Sequence, residues 1–382
     1  MPGALQGHRV VDLTQNMAGP LCTMNLADHG ADVIKVEPRV GDSTRTAPPF
    51  VGGESAPFMM LNRNKRSVVL DLKDKDDHAF MLDLIGTADI MVESNRPGVM
   101  ARLGLDWASL EPQFPELIYA SISGYGQTGP WGPRGGFDVM AQGMSGLMSN
   151  NGPKDGPPHR LPVPFCDLMA GLYATIGILA AVESRHQTGT GQFVETSLLE
   201  AATAVQIYEA SHYFTLETNP PRMGQAHRGS APYQIFPTAD GYLTIGAGMQ
   251  HFFERFCRLA QLPDMPTDPR FIDMTGRINH NDTLVQIISE QTRQHPTDWW
   301  IRRLDAEGVP CGPVLNHEQL FNHPQILHRK MIETVEHPTA GTVKTLGIPI
   351  KLSDTPGSVR THAPRLGEHN DVIRAEIVRL KN

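Results

Sequence analysis

The chain has 382 residues, enough to bury a large core and to build two or three domains. Hydrophobic residues make up 40% and charged residues 19%, an ordinary globular composition that excludes a disordered chain as the default. A formal net charge of −8 argues against broad binding to nucleic acid or to a membrane surface, while leaving local basic clusters free to hold an anionic ligand.

The N-terminus, MPGALQGHRVVDLTQ, has neither a cationic start nor an apolar h-region, so no secretion signal is expected. Short β-rich runs follow: RVVDL 9–13, DVIKVE 32–37, SVVLDL 67–72, ADIMVE 88–93 and LIYASIS 117–123 read as strands. Helical patterns fit between several of them, at 20–30, 76–86, 97–103 and 138–148. This alternation predicts an α/β fold with a mostly parallel sheet covered on both faces. The connection 38–66 is too long for a simple crossover, and long loops of that kind are often functional.

The stretch PVPFCDLMAGLYATIGILAAV, 162–182, is almost unbroken apolar chain with one carboxylate, Asp167, near its start. At a helix start the first reading of an aspartate is an N-cap accepting backbone N–H groups. The same position favours the ionised carboxylate, which in apolar surroundings is also a nucleophile. Position alone does not separate the two. The apolar run 168–182 is too short to span a bilayer and predicts a core helix. Cys22, Cys166, Cys257 and Cys311 are far apart without CxxC spacing, which gives neither a disulfide framework nor a zinc signature and points to a reducing compartment, the cytoplasm. Cys166, beside Asp167, is a second nucleophile candidate, although a free cysteine is more often a small buried hydrophobe.

Farther on, HQTGTGQFVETS holds a glycine turn and a short strand, and a helix at about 197–215 leads into LETNPPRMGQAHRGSAP, whose Pro, Gly and polar residues read as a linker. YQIFPTADGYLTI is a hairpin around Ala239–Asp240–Gly241. With helices at 250–260, 281–294 and 297–307, residues 226 to about 325 read as a compact second domain. VKTLGIPIKLS predicts a strand pair and DVIRAEIVRL a closing helix.

SGYGQTGP puts Gly124, Gly126 and Gly129 at GxGxxG spacing after a strand. Pro130, Trp131, Gly132 and Pro133 follow, so no helix opens there to meet a pyrophosphate, and a nicotinamide or flavin site is not expected. No HExxH, GxSxG or Ser–His–Asp arrangement is present. Basic residues gather at Lys35, Arg39, RNKRS 63–67, Lys73, NRPG 95–98, Arg102 and Arg134. In a doubly wound sheet, strand ends and helix starts converge on one crevice, so these charges can form a phosphate-binding rim. Each taken singly reads more readily as a solvated surface charge.

Taken together, VVDLTQNMAGPLCTMNLADHGADVIKVEPRVGDSTR, LNRNKRSVVLDLK, DIMVESNRPGVMARLGLDW, SISGYGQTGP, PVPFCDLMAGLYA, TGTGQFVETSLLEA and APYQIFPTADGYLTIGAG give the chain a family likeness. It resembles the class III CoA-transferases, the CaiB/BaiF group of formyl-CoA transferases, carnitine CoA-transferases and α-methylacyl-CoA racemases. The motifs run in order from residue 10 to about 250 and continue more loosely to the end.

The resemblance implies that Asp167 is a nucleophile forming a covalent aspartyl intermediate, with an acyl-CoA donor (succinyl-CoA is a candidate) and a free carboxylic acid acceptor. Coenzyme A would enter as substrate, with no tightly bound cofactor and no metal. The implied CoA contacts are Met17, Ala18, Arg39, Leu72, Lys73, Asn95, Arg96, Arg102, Arg134, Gly135, Gly136, Phe137 and Asp138. HRGSAP, 227–232, matches a mobile loop over the acyl site, with His227, Arg228, Gly229 and Ser230 as substrate contacts. Arg45, His227 and Arg228 are candidates to pair with a second carboxylate, which would make the acceptor a small dicarboxylate; read singly they are equally well surface charges.

The resemblance also implies a large Rossmann-like domain over 1–200 completed by 330–382, a linker at 201–225, a small α+β domain at 226–325, a return segment at 326–382, and an interlocked homodimer. Two departures narrow the activity. Formate-type transferases often carry a glutamine at the position of Met17 and glycines at His227–Ser230, which argues against formyl or oxalyl specificity. The racemases need a histidine where Phe137 stands, and a phenyl ring cannot exchange a proton. Racemisation of a 2-methylacyl-CoA is therefore the disfavoured alternative, and a non-catalytic CoA-binding protein with Asp167 as a mere cap is the third.

Overall fold

Runs rich in Val and Ile form six parallel strands, β1 (Arg9–Leu13), β2 (Asp32–Glu37), β3 (Lys65–Val69), β4 (Ile90–Glu93), β5 (Ile118–Ser123) and β6 (Phe193–Ser197), in the computed structural model, which describes residues 3–381. Their order across the sheet is β3-β2-β1-β4-β5-β6. Every neighbouring pair is parallel. The chain reverses direction across the sheet between β1 and β4, and that reversal opens a crevice at the carboxyl ends of the strands.

The helices that build the crevice are α1 (Ala18–Asp28), α2 (Lys75–Ile85), α3 (Asp138–Met144), α4 (Phe165–Thr188), α5 (Leu198–Ala204) and α6 (Ile207–Leu216). Alternate strand residues point to opposite faces. Val10, Val33, Ile90 and Ile118 therefore pack with Cys22, Leu26, Ala174 and Ile178 of α1 and α4. Val11, Ile34, Met91 and Tyr119 face Phe80, Met81 and Leu84 of α2 and Ile373 and Ile377 of the C-terminal helix Asn370–Lys381. Burial on both faces explains why β4 and β5 carry no exposed residue.

The 24 residues of α4 extend beyond the apolar run 168–182 at both ends, and by length and apolarity alone they would suffice to cross a membrane. One face, including Ala170, Gly171, Ala174 and Ile178, is instead buried in the unit. A Cβ on Gly171 would lie 2.6 Å from the Ala18 carbonyl oxygen, so this glycine sets how closely α4 approaches the start of α1. The opposite face leaves Leu172, Tyr173, Ile176 and Leu179 exposed, and α6 exposes Ile207, Tyr213, Phe214 and Leu216.

The chain divides into two compact units, Met1–Met148 with Arg160–Leu216 and Pro324–Asn382, and Ser149–His159 with Glu217–His323. Residues 201–216, which the resemblance placed in a linker and the residue pattern in a helix at about 197–215, belong to the first unit as parts of α5 and α6, and 149–159 joins the second. The second unit is built on an antiparallel sheet of β7 (Tyr233–Pro237), β8 (Tyr242–Gly246) and β9 (Cys311–Pro313), in the order β9-β8-β7. Its core holds Phe236, Leu243, Phe253, Phe256 and Trp300.

Three expectations shift. The third strand covers Lys65–Val69 rather than 67–72. The helix read at 138–148 breaks at Gly146, which adopts φ 91°. The terminal strand pair is β10 (Ile332–His337) and β11 (Gly341–Leu346), turned at Gly341 with φ 69°, so IPIKLS is not a strand.

Candidate active site

Below the crevice lies a buried charge network. Lys65 Nζ donates to Asp12 Oδ2 at 3.0 Å, Thr23 Oγ1 at 2.7 Å and Asn62 Oδ1 at 2.9 Å. Lys35 Nζ meets Asp42 Oδ2 at 2.8 Å and the Thr14 carbonyl at 2.8 Å. Burial alone would raise the Asp12 carboxyl, but Lys65 and Lys35 hold it down at about 2. Burial pushes Lys65 down to about 8 against the pull of Asp12. Through Thr14, and through Asp42 Oδ1, which accepts the Asn16 N–H at 3.4 Å, this network fixes the turn 14–17, where Asn16 adopts φ 66°.

Several cations of the expected phosphate rim are therefore structural. Lys35 and Lys65 are fully buried in these pairs, Arg63 is bound to Asp28 and Arg66 to Asp32 and Glu376. Arg45 also departs from expectation as a substrate contact. Its Nε and Nη2 donate to the two Glu37 oxygens at 2.7 Å each, Nη2 also reaches the Pro364 carbonyl, and the guanidinium covers the Phe58 ring at 3.7 Å. A bidentate pair of this kind leaves no fork for a ligand.

Above the network, at the strand ends, a cavity of about 200 Å3 brings together Met17, Ala18 and Gly19 from the start of α1, Ser94–Pro97 after β4, Ile122–Gly124 at the end of β5, Arg134–Phe137 before α3, Asp167 and Leu198. Of the residues named from sequence, Met17, Ala18, Asn95, Arg96, Arg134, Gly135, Gly136, Phe137 and Asp167 meet here. Two loops touch through glycine backbones, since a Cβ on Gly124 would lie 2.8 Å from Gly136 Cα. The glycine-rich SGYGQTGP thus serves loop approach, with φ 97° at Gly126 and 85° at Gly129.

Asp167 occupies the first turn of α4 but does not cap it. The N-cap position is Pro164, without a side-chain cap bond. The cap comes from Asp138, whose Oδ1 accepts the N–H of Cys166 at 2.8 Å and of Asp167 at 3.4 Å, while Oδ2 accepts from Gln142 Nε2 at 2.6 Å. Asp138, expected as a CoA contact, is outside the cavity lining and engaged with the helix instead. Among the described residues no hydrogen bond engages the Asp167 carboxylate. Burial, followed by the negative charge of Asp138, raises its carboxyl from 3.8 to about 7, outweighing the helix terminus. Cys166 is fully buried and pushed up to about 12, so its thiol stays neutral and is no nucleophile.

A second cavity, of about 390 Å3, includes Arg39, Val40, Leu72 and Lys73 and shares Gln15 and Asn95 with the first. Arg102 ends the short helix Val99–Arg102 and lines neither cavity. His227, Arg228, Gly229 and Ser230 belong to the second unit. There His227 pairs with Ser230 as a β-bridge, its Nδ1 accepts the Gly229 N–H at 3.0 Å, and Arg228 Nη2 donates to the Pro221 carbonyl at 3.1 Å. Gln15, Asn16, Ser94, Ser123 and Leu198 line the Asp167 cavity without having been singled out from sequence. The sequence signals for them are the asparagine in the turn QNM and the SG step that opens SGYGQTGP.

The profile of CoA-transferase family III matches residues 5–370. The chain is 38% identical over 377 residues to the succinyl-CoA:glutarate CoA-transferase of Homo sapiens, covering 98% of this chain and 86% of that protein. It is 37% identical to the succinyl-CoA:mesaconate CoA-transferase of Haloarcula hispanica, covering 98% and 96%. The crystal structure of a CaiB/BaiF family protein from Brucella suis superposes with a TM-score of 0.89 at 36% identity, over 99% of this chain and all of that one. With the six-stranded parallel sheet and the carboxylate-bearing crevice, these likenesses make the chain a member of CoA-transferase family III and a CoA-transferase.

Proposed function

We propose that the protein moves CoA from succinyl-CoA to a small dicarboxylic acid through a covalent aspartyl intermediate on Asp167. The observation that carries this is the division of labour at α4: Asp138 takes the cap, which leaves the Asp167 carboxylate half-buried, unbonded and facing a cavity. The donor and acceptor classes are supported by the names of the relatives, both of which pair succinyl-CoA with a dicarboxylate.

In this mechanism the ionised Asp167 oxygen attacks the thioester carbonyl, the C–S bond breaks, and a mixed anhydride and CoA thiolate result. The thiolate attacks the aspartyl carbonyl, which releases succinate and leaves an aspartyl-CoA thioester. The acceptor carboxylate attacks that thioester and expels the thiolate again. Attack of the thiolate on the acceptor's carbonyl forms the new acyl-CoA and returns Asp167 as carboxylate. No net proton is consumed. The tetrahedral oxyanions require donors fixed in advance, and the N–H groups around Gly135 and Gly136 border the same cavity as Asp167.

Arg39, Leu72 and Lys73 then hold the nucleotide in the larger cavity, while Met17, Ala18, Gly136 and Phe137 border the pantetheine end. Racemisation remains disfavoured, because the cavity presents the Phe137 ring where a proton-exchanging side chain is required. The apolar faces of α4 and α6, with Ile176 61% and Phe214 80% exposed, support association with a second, interlocked copy. Free Cys22, Cys166, Cys257 and Cys311 fit a cytoplasmic location.

The test is to incubate the protein with succinyl-CoA alone, trap with hydroxylamine and map the modified peptide. Modification at Asp167 is expected; an active sample with Asp167 unmodified, or Asp167→Ala at full rate, overturns the assignment.

A further inference from the structure

Two arginines share the small cavity with Asp167, and they are held differently. Arg134 lays its guanidinium over the Trp131 ring at 3.7 Å. Arg96 rests on the backbone of Gly135, where a Cβ would lie 2.7 Å from its Nη2 and 2.8 Å from its Cζ. Arg96 is exposed, and among the described residues no hydrogen bond or ion pair engages its guanidinium. A planar fork of five donors is thus presented to ligand.

What that fork receives follows from where it is. CoA carries its phosphates at one end and its thioester at the other, with a neutral arm between. Arg39 and Lys73 serve the roomier cavity, whereas a cavity of about 200 Å3 that contains the nucleophile has room for the acyl end. Among the described residues, burial and the charge of Asp138 set the Asp167 carboxyl, and neither arginine is paired with it. The cavity therefore offers a nucleophile at one place and an unpaired guanidinium at another, an arrangement suited to a molecule with one reacting and one charged carboxyl end. We propose that Arg96, seated on Gly135, receives the distal carboxylate of the dicarboxylic substrate and so sets the preference for dicarboxylic over monocarboxylic acids.

This rests on the CoA-transfer reading above, and the experiment keeps the two apart. CoA transfer from succinyl-CoA is measured to length-matched pairs, glutarate against pentanoate and adipate against hexanoate. In a double-displacement scheme kcat/KM for the acceptor reports only the second half-reaction, so the donor's own carboxylate does not confound it. Arg96→Leu is expected to reduce the dicarboxylate-to-monocarboxylate ratio of kcat/KM about ten- to a hundredfold, as for loss of a charged hydrogen-bonding partner. Arg96→Lys restores part of the ratio. Gly135→Ala is an independent second variant, because its methyl group displaces the guanidinium while Arg96 itself is kept; it is expected to lower the ratio in the same direction. An unchanged ratio in both variants, an equal fall for both acid classes, or a wild-type protein indifferent to the second carboxylate overturns the inference. Absence of CoA transfer to any acid by the wild type overturns the underlying reading as well.

Discussion

Asp138 Oδ1 accepts the backbone N–H of Asp167, so one carboxylate caps the helix turn that carries the other. The two acids have separate duties, and the charge of the first raises the carboxyl of the second. Asp138→Asn removes that charge while keeping an acceptor for the Cys166 N–H. The acid limb of the rate–pH profile, expected near the Asp167 value of about 7, should move to lower pH. Asp138→Ala should move it likewise and also cost about 0.5–2 kcal/mol of stability, the usual loss of a cap. Rate–pH profiles and urea unfolding of both variants check this.

Replacing Asp167 separates chemistry from folding. Asp167→Asn should lose more than about a thousandfold in CoA transfer, the scale of removing a nucleophile. The stability effect has a definite sign. The folded carboxyl at about 7 lies above its ordinary 3.8, so between those values the folded state holds a proton that the unfolded chain releases. Wild-type stability contributed by this group falls as pH rises through that window, and Asp167→Asn should flatten the fall and be the more stable protein above it. Thermal unfolding across that pH range decides, and a variant less stable than wild type at alkaline pH would contradict the assignment.

The network under the site should be intolerant of single changes. Lys65→Met takes from buried Asp12 its direct ion-pair partner, leaving Lys35 and the Thr14 and Thr23 donors, and should cost about 3–5 kcal/mol, read from chemical denaturation. Adding Asp12→Asn should recover part of that loss, because the under-compensated charge is then gone.

Burial of the exposed faces of α4 and α6 in a second copy predicts a dimer by sedimentation. Phe214→Glu, which puts a charge into that face, should lower the unfolding midpoint of the assembled protein, since interlocked chains separate only by opening. A stable, active monomer of the wild type would refute the interlocked arrangement.

Where the sequence proved readable, the cause was local. The strands β1, β2, β4 and β5 are apolar runs bounded by turn-forming residues, and pattern locates them to within two residues. The third strand slips because Lys65, a charged residue at its start, points into a buried network whose partners Asp12 and Asn62 become visible only in the fold. Arg45 looked free for the same reason, its Glu37 partner lying on a different element. Asp138 caps a helix that begins 27 residues later, which no N-terminal pattern reports. At the C-terminus, IPIKLS alternates like a strand, yet β11 has already ended at Leu346 after pairing with 332–337. Asp167 is legible only through ordered motifs that resemble a family; its helix position alone assigns it the cap that Asp138 holds.

Gln15 and Asn95 form a party wall between the two cavities, and Glu93 pins the wall by accepting the Asn95 N–H at 2.7 Å. On the proposed placement of the nucleotide in the roomier cavity, the two ends of the carrier meet at these two residues, and binding energy gathered at the nucleotide can be spent at the thioester. A donor shortened to its pantetheine arm should then turn over slowly even at saturation, the loss falling on kcat as well as on KM.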